Sequence, residues 1–369
     1  MNAASIGENF DPRRNALNFL RLCFALLVIF SHSIVLGGYR SENLWGHGTL
    51  GDIAVDAFFA VSGFLIAASA SRNDVLRYLW QRFLRIFPAF WVCLLVTAFL
   101  IAPIVWVAQG GPLGAYWSAP AGPIHYVVVN WFLRIHAYGI AGTPRQVPYP
   151  NAWDGSLWTL FYEFYCYLMV AFLAATTIIR RRGLVLVLWG ASCGVAIGAA
   201  AVGIPTFEDR PSYNLIRFVP IFFAGVLLWL YRDIVPDSRV LFAACVALFV
   251  AGTFLRNPEV LSGPPLAYVC VWASIHLPAK TIGSNYDISY GTYIYGFIVA
   301  QVLAAWHVYR WGYLPFTLLT VGITLGFALT SCIAVERPAL RLKRLTVGHR
   351  PAPSDPSPAA ALGGATSGQ

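Results

Sequence analysis

The sequence predicts an all-α, polytopic integral membrane protein, and three observations carry that prediction. The first is composition: 58% of the 369 residues are hydrophobic and only 11% are charged, against about 25% charged in soluble domains. The second is a mean hydropathy of +0.64. The third is pattern, since apolar runs of about 20 residues, the length that crosses a bilayer, recur through most of the chain.

Ten such runs are legible, at roughly 15–37, 51–70, 86–108, 156–179, 183–203, 213–231, 239–256, 260–278, 287–308 and 314–335. An even number puts both termini on one side. With the N-terminus inside, seventeen of the 25 Lys and Arg residues fall on the inner side, six lie in outer loops, and Arg21 and Arg217 sit within spans. The positive-inside rule therefore selects an N-in, C-in topology. Residues 1–14 are polar and the first run has no small-residue cleavage site, so this run is expected to be a retained helix rather than a removable signal. The transmembrane domain is expected to occupy residues 15–345.

Three regions depart from this pattern. The stretch "PIHYVVVNWFLRIHAYG" within 123–140 is too short and polar to span, and is expected to be re-entrant or interfacial inside an outer loop, 109–155, long enough to suggest function. The eighth run is interrupted near Pro264 and Pro265. Residues 346–369, rich in Pro, Ala, Gly and Ser, have little to bury and should form a disordered cytoplasmic tail.

The basic residues are dispersed singly between apolar runs, which excludes a nucleic-acid-binding face. The seven cysteines all lie inside apolar stretches with no C-x-x-C spacing, so they read as small buried hydrophobes rather than a disulfide or metal framework. No histidine pair has metal-site spacing on a helix.

Ionisable residues inside spans are costly to insert, by about 2.5–3.5 kcal/mol at the centre, and are functional candidates by default. In "LNFLRLCFALLVIFSHSIVLGG", Arg21 and His32 are eleven residues apart. That is close to three helical turns and about 16 Å of rise, so a permanent cation below and a titratable imidazole above share one stripe. The alternative is that Arg21 snorkels to inner headgroups while His32 makes one interhelical hydrogen bond. Asp56 in the second span and Glu163 in the fourth enter from the outer side to a depth similar to that of His32. An imidazole acid/base with an orienting carboxylate needs such a placement; pairing of either carboxylate with Arg217 is the other reading. Arg82 and Arg85, at i and i+3, are neighbours on one helical face and offer two planar donor forks suited to phosphate groups. Ser156 in "WDGSLW" has no nucleophile elbow around it and reads as a helix N-cap.

The segments "NFLRLCFALLVIFSHS", "VDAFFAVSGFLI", "RFLRIFPAFW", "DGSLWTLFYEFYCYL", "RFVPIFFAGVLLWLY", "ISYGTYIYGFI" and "VERPAL" together resemble the membrane acyltransferase-3 family, bacterial proteins that O-acylate surface glycans. They cover nearly all of residues 15–340 in order. The resemblance implies that Arg21 and His32 are the family's first-helix arginine and histidine, that Arg82 and Arg85 are its paired arginines, and that Asp56 and Glu163 are its acidic positions. It further implies a histidine-dependent transfer of an acyl group, usually acetyl, from cytoplasmic acyl-CoA to a glycan or lipid-linked saccharide at the outer side. The setting would be the bacterial inner membrane, with no tightly bound cofactor and no metal. Many members carry a histidine where this chain has Gly296. General-base and acyl-histidine routes both remain open, and a glycan or lipid-intermediate transporter is the competing function.

Overall fold

The computed structural model describes residues 4–39, 49–203, 211–254 and 259–344; the tail at 346–369 lies outside them. Ten long helices occupy the positions of the ten apolar runs. They are α1 (Leu17–Leu36), α2 (Leu50–Ala70), α3 (Val75–Ala108), α4 (Thr159–Ala175), α5 (Arg182–Ala201), α6 (Pro211–Leu230), α7 (Arg239–Gly252), α8 (Glu259–His276), α9 (Ser289–Ala305) and α10 (Tyr313–Arg341). Six of them, α1, α2, α3, α5, α6 and α10, are long and apolar enough to cross a membrane by themselves. No strand forms among the described residues, which carry only two isolated β-bridges.

The largest difference from the sequence reading is at α3. It begins at Val75 rather than near residue 86, because Asp74 accepts the Arg77 N–H and caps the helix. Arg82 and Arg85 therefore sit on the helix itself, about two to three turns from its start. Both α3 and α10 contain a single π-helical segment, Thr97–Ile101 and Cys332–Glu336, and each runs directly into a helix with proline in its first two positions. A proline lacks an N–H and crowds the carbonyl four residues back, and a wider turn relieves that conflict without ending the helix. Pro264 and Pro265, expected to interrupt the eighth run, lie inside the continuous α8.

The long connection between α3 and α4 is part helix and part irregular. Pro123–Asn130 is a helix of only eight residues, about 12 Å long and too short to cross. Asn130 ends it, accepting the N–H groups of His136 and Ala137 and donating to the Ala137 carbonyl. The polar N-terminal segment is docked: Ser5 and Glu8 form a capping box, and the N–H groups of Ile6 and Gly7 bond to the carbonyls of Val235 and Arg232 after α6.

The tightest crossing joins α2 to α6. A Cβ on Gly63 would come 1.9 Å from the Phe222 carbonyl oxygen, and one on Gly225 would come 1.9 Å from that of Ala60. Backbone meets backbone here, with Phe59 stacked on Phe218 at 4.1 Å alongside. Inside a bilayer no hydrophobic force draws helices together, so association rests on such close packing of small residues. Gly63→Ala and Gly225→Ala are each expected to destabilise the fold by about 1–3 kcal/mol or more, seen as a lower unfolding midpoint of the purified protein in detergent; unchanged midpoints would refute this account of the crossing.

Candidate active site

α1 and α9 run parallel, in contact along their length. Near the start of α1, Arg21 Nη1 donates to Asp287 Oδ2 at 2.7 Å, just ahead of α9. Two turns on, Ile29 fills the space beside Gly296, where an added Cβ would lie 2.6 Å from its Cγ1. Further along, the His32 imidazole packs edge-on against Phe297, with ring centroids 5.4 Å apart. Arg21 and His32 thus face the same neighbouring helix. The spacing of eleven predicts a shared stripe; its partner, α9, is not legible in that spacing.

Arg85 reaches the same carboxylate. Its Nη2 lies 2.5 Å from Asp287 Oδ2, its Nη1 lies 3.4 Å from Glu336 Oε2, and its guanidinium sits over the Tyr290 ring. The other oxygen of Asp287 accepts from the N–H and hydroxyl of Ser289. The starts of α1 and α9, the third turn of α3 and the end of α10 are therefore tied together by one network. Sequence reasoning misses Asp287 and Glu336, although an acidic residue two positions ahead of "SYGTY" and another inside "VERPAL" are visible as charges at the edges of apolar runs. Arg82, one turn from Arg85, makes no hydrogen bond or ion pair with any described residue, and its Nε is buried without a partner.

Above this network is a cavity whose walls include Arg21, Phe58, Thr159, Glu163, Tyr290 and Tyr293. Glu163 accepts hydrogen bonds from the hydroxyls of Ser62 and Tyr167. These are its hydrogen-bonding partners, so the direct bond to His32 that similar depth suggested is not made. The reason lies in where α4 starts. Tyr293, in the second turn of α9, donates to the Ser156 carbonyl at 2.8 Å and meets the Thr159 hydroxyl. The first residues of α4 consequently lie beside the lower part of α9, and Glu163 shares a cavity with Arg21. Phe297, one turn beyond Tyr293, carries the imidazole.

Ser156 does not cap α4, which begins three residues later with no side-chain cap. The turn ahead of the helix is held instead by Asp154, buried, whose Oδ1 accepts the Ser156 N–H at 3.0 Å; the Ser156 hydroxyl is buried without a partner. Asp56 also has a defined neighbour. Arg217 directs Nε and Nη2 to its Oδ1 at 3.2 and 3.0 Å, and Nη1 to Asp52 at 3.3 Å. Of the two readings open for the carboxylates, the pairing with Arg217 is present for Asp56.

The site thus combines cations at one end, a carboxylate in a cavity, and an imidazole farther along the same helical seam. A family model described as an acyltransferase domain matches residues 14–337. The chain belongs to this acyltransferase family. It is similar to the O-acetyl transferase of Shigella phage Sf6, with 26% identity over 88% of this chain and 96% of that protein. It is also similar to nodulation protein 10 of Rhizobium leguminosarum bv. viciae, with 28% identity over 93% and 98%. The exopolysaccharide production protein ExoZ of Rhizobium meliloti shares 25% identity over 84% and 97%. No solved structure matches. Membership of an acyltransferase family, together with the long apolar helices, makes the chain a multi-pass membrane acyltransferase and removes the ground for the transporter reading.

Removing one partner of a buried ion pair costs about 3–5 kcal/mol, whereas replacing both by apolar groups is often neutral. Asp56→Ala is expected to lower the unfolding midpoint, and Asp56→Leu combined with Arg217→Met to recover most of the loss. A double variant as unstable as the single one would show that Asp56 is held for more than this pairing; recovery of activity along with stability would place it outside the chemistry.

Proposed function

We propose that the chain moves an acetyl group from acetyl-CoA to a hydroxyl of a glycan or lipid-linked saccharide, as an O-acetyltransferase of the bacterial inner membrane. The observation that carries this reading is the seam along α9, with Arg21 at its lower end sharing Asp287 with Arg85, Arg82 one turn from Arg85, and His32 about 16 Å higher by helical rise. In this reading ten helices cross the bilayer with both termini in the cytoplasm, so the arginine end faces the cytoplasm and His32 lies toward the outer side. The relatives, an O-acetyl transferase and an exopolysaccharide production protein, support acetyl as the group and a glycan as the acceptor.

The residues divide the work by position. Arginine forks hold phosphates at the inner mouth, and the pantetheine arm extends through the Glu163 cavity toward His32. His32 takes the proton of the acceptor hydroxyl as that oxygen attacks the thioester carbonyl; the C–O bond forms, the C–S bond breaks, and the departing sulfur takes the proton back from His32, so that coenzyme A leaves as the thiol and the imidazole is again neutral. Glu163 orders the Ser62 and Tyr167 hydroxyls around the path, and Asp56 acts as a positioning residue through Arg217. The aromatic connection between α3 and α4, with Trp117, Phe132 and Tyr149 exposed, supplies flat apolar surface of the kind on which sugar rings stack.

General-base catalysis contributes about 10²–10⁴ in rate. Purified protein in lipid, incubated with radiolabelled acetyl-CoA and extracted cell-envelope glycans, is expected to place label in an alkali-labile sugar ester, and His32→Ala to lower that rate by about this factor without loss of folded protein. Absence of label with the wild type would overturn the function; an undiminished rate for His32→Ala would overturn the role of the imidazole.

A further inference from the structure

The three arginines at the inner end do not carry the same unbalanced charge. Arg21 and Arg85 share the Asp287 carboxylate, and Arg85 also meets Glu336. Arg82 has neither, and its Nε is buried without a hydrogen-bond partner. A guanidinium held in this way has lost part of its hydration without receiving an acceptor, an arrangement that favours an incoming anion.

A second cation, with no acid partner among the described residues, lies on a turn that packs against the same stretch of α3. After α10, the turn Leu342–Arg344 folds back onto the first part of α3, where the Trp80 indole N–H donates to the Leu342 carbonyl at 3.1 Å. Trp80 in turn stacks on Phe83, with centroids 5.5 Å apart. The tie leaves Lys343 half-buried, within electrostatic reach of both Arg82 and Arg85. It makes no ion pair with any described residue. Burial, and then repulsion from Arg82 and Arg85, pushes the Lys343 ammonium down to about 8.

We propose that Arg82 and Lys343 together form an anion subsite that takes a phosphate group of the donor, the lysine coming from a segment beyond the residues 14–337 that match the family. The inference rests on acyl-CoA being the donor at this end. A planar fork and a compact ammonium are complementary for this purpose: arginine fixes the orientation of the phosphate oxygens, and lysine adds a point charge that follows them. Arg21 and Arg85, whose charges are already shared with Asp287 and Glu336, add their remaining donors beside this subsite. A lipid-headgroup phosphate has the same chemistry, so the two sources must be separated by experiment.

Full-length protein in phosphatidylcholine nanodiscs would be titrated calorimetrically with coenzyme A and with 3′-dephospho-coenzyme A. Loss of one charge-assisted hydrogen bond corresponds to roughly a 10- to 100-fold change in affinity. Lys343→Gln is expected to weaken coenzyme A binding by at least about tenfold, Lys343→Arg to restore most of it, and the unfolding midpoint to stay where it is. A gap between coenzyme A and its dephospho form that closes in Lys343→Gln would assign the subsite to the 3′-phosphate; equal weakening of both would assign it to the diphosphate, and either result supports the proposal. Unchanged coenzyme A affinity in Lys343→Gln would overturn it. So would unchanged affinity together with loss of co-purifying phosphatidylglycerol, which would give the subsite to a lipid headgroup. A wild type that binds no coenzyme A would instead remove the donor reading on which the inference stands.

Discussion

One carboxylate organises the end of the bundle where α1 and α9 begin. Asp287 receives a guanidinium from α1 and another from α3 on the same oxygen, while its second oxygen takes the N–H and hydroxyl of Ser289 at the start of α9. Three helices distant in sequence are therefore registered against one another by a single acceptor. In a low-dielectric setting an unpaired charge is far more costly than a paired one, so the network fixes how far α1 and α3 can slide along α9. The position of His32 follows from it, because the imidazole is carried three turns higher on the helix that Arg21 anchors. Fixing the imidazole at that distance from the arginine cluster is a matter of helix geometry, and needs no loop that could drift.

Much of this arrangement is legible in the amino-acid sequence. The apolar runs locate the ten long helices of the described residues, since a run of side chains that avoids water leaves a long uninterrupted signature. The Arg21 to His32 spacing shows that the two groups share a face, because a rigid helix converts a count of residues into a direction. Arg82 and Arg85 are visible as a pair for the same reason. Partners across the bundle leave no such trace. Asp56 and Glu163 look alike in depth and context, and only the packing of α2 on α6 brings Arg217 to one while Ser62 and Tyr167 meet the other. Asp287 lies 266 residues from Arg21 and 202 from Arg85, and no local pattern links them.

The fourth helix shows the other limit. Its apolar run extends back to Ser156, yet helical structure begins only at Thr159, because Asp154 turns the backbone by accepting the Ser156 N–H and Tyr293 takes hold of the Ser156 carbonyl. Hydropathy reports what a residue prefers to be surrounded by; it does not report which backbone groups are already engaged elsewhere. The result is that irregular chain enters the bundle beside α9, satisfied by side chains of the protein, as non-helical backbone within a membrane protein has to be.

Gly296 ties two positions together. The space a larger residue would need is already occupied by Ile29 on the neighbouring helix, one turn below the imidazole. A histidine here, which the family resemblance implies for many members, would meet Ile29, push α1 outward and carry the His32 imidazole away from its perch on Phe297. The two positions are coupled by volume, so a ring on one helix can be admitted only alongside a trimmed aliphatic on the other.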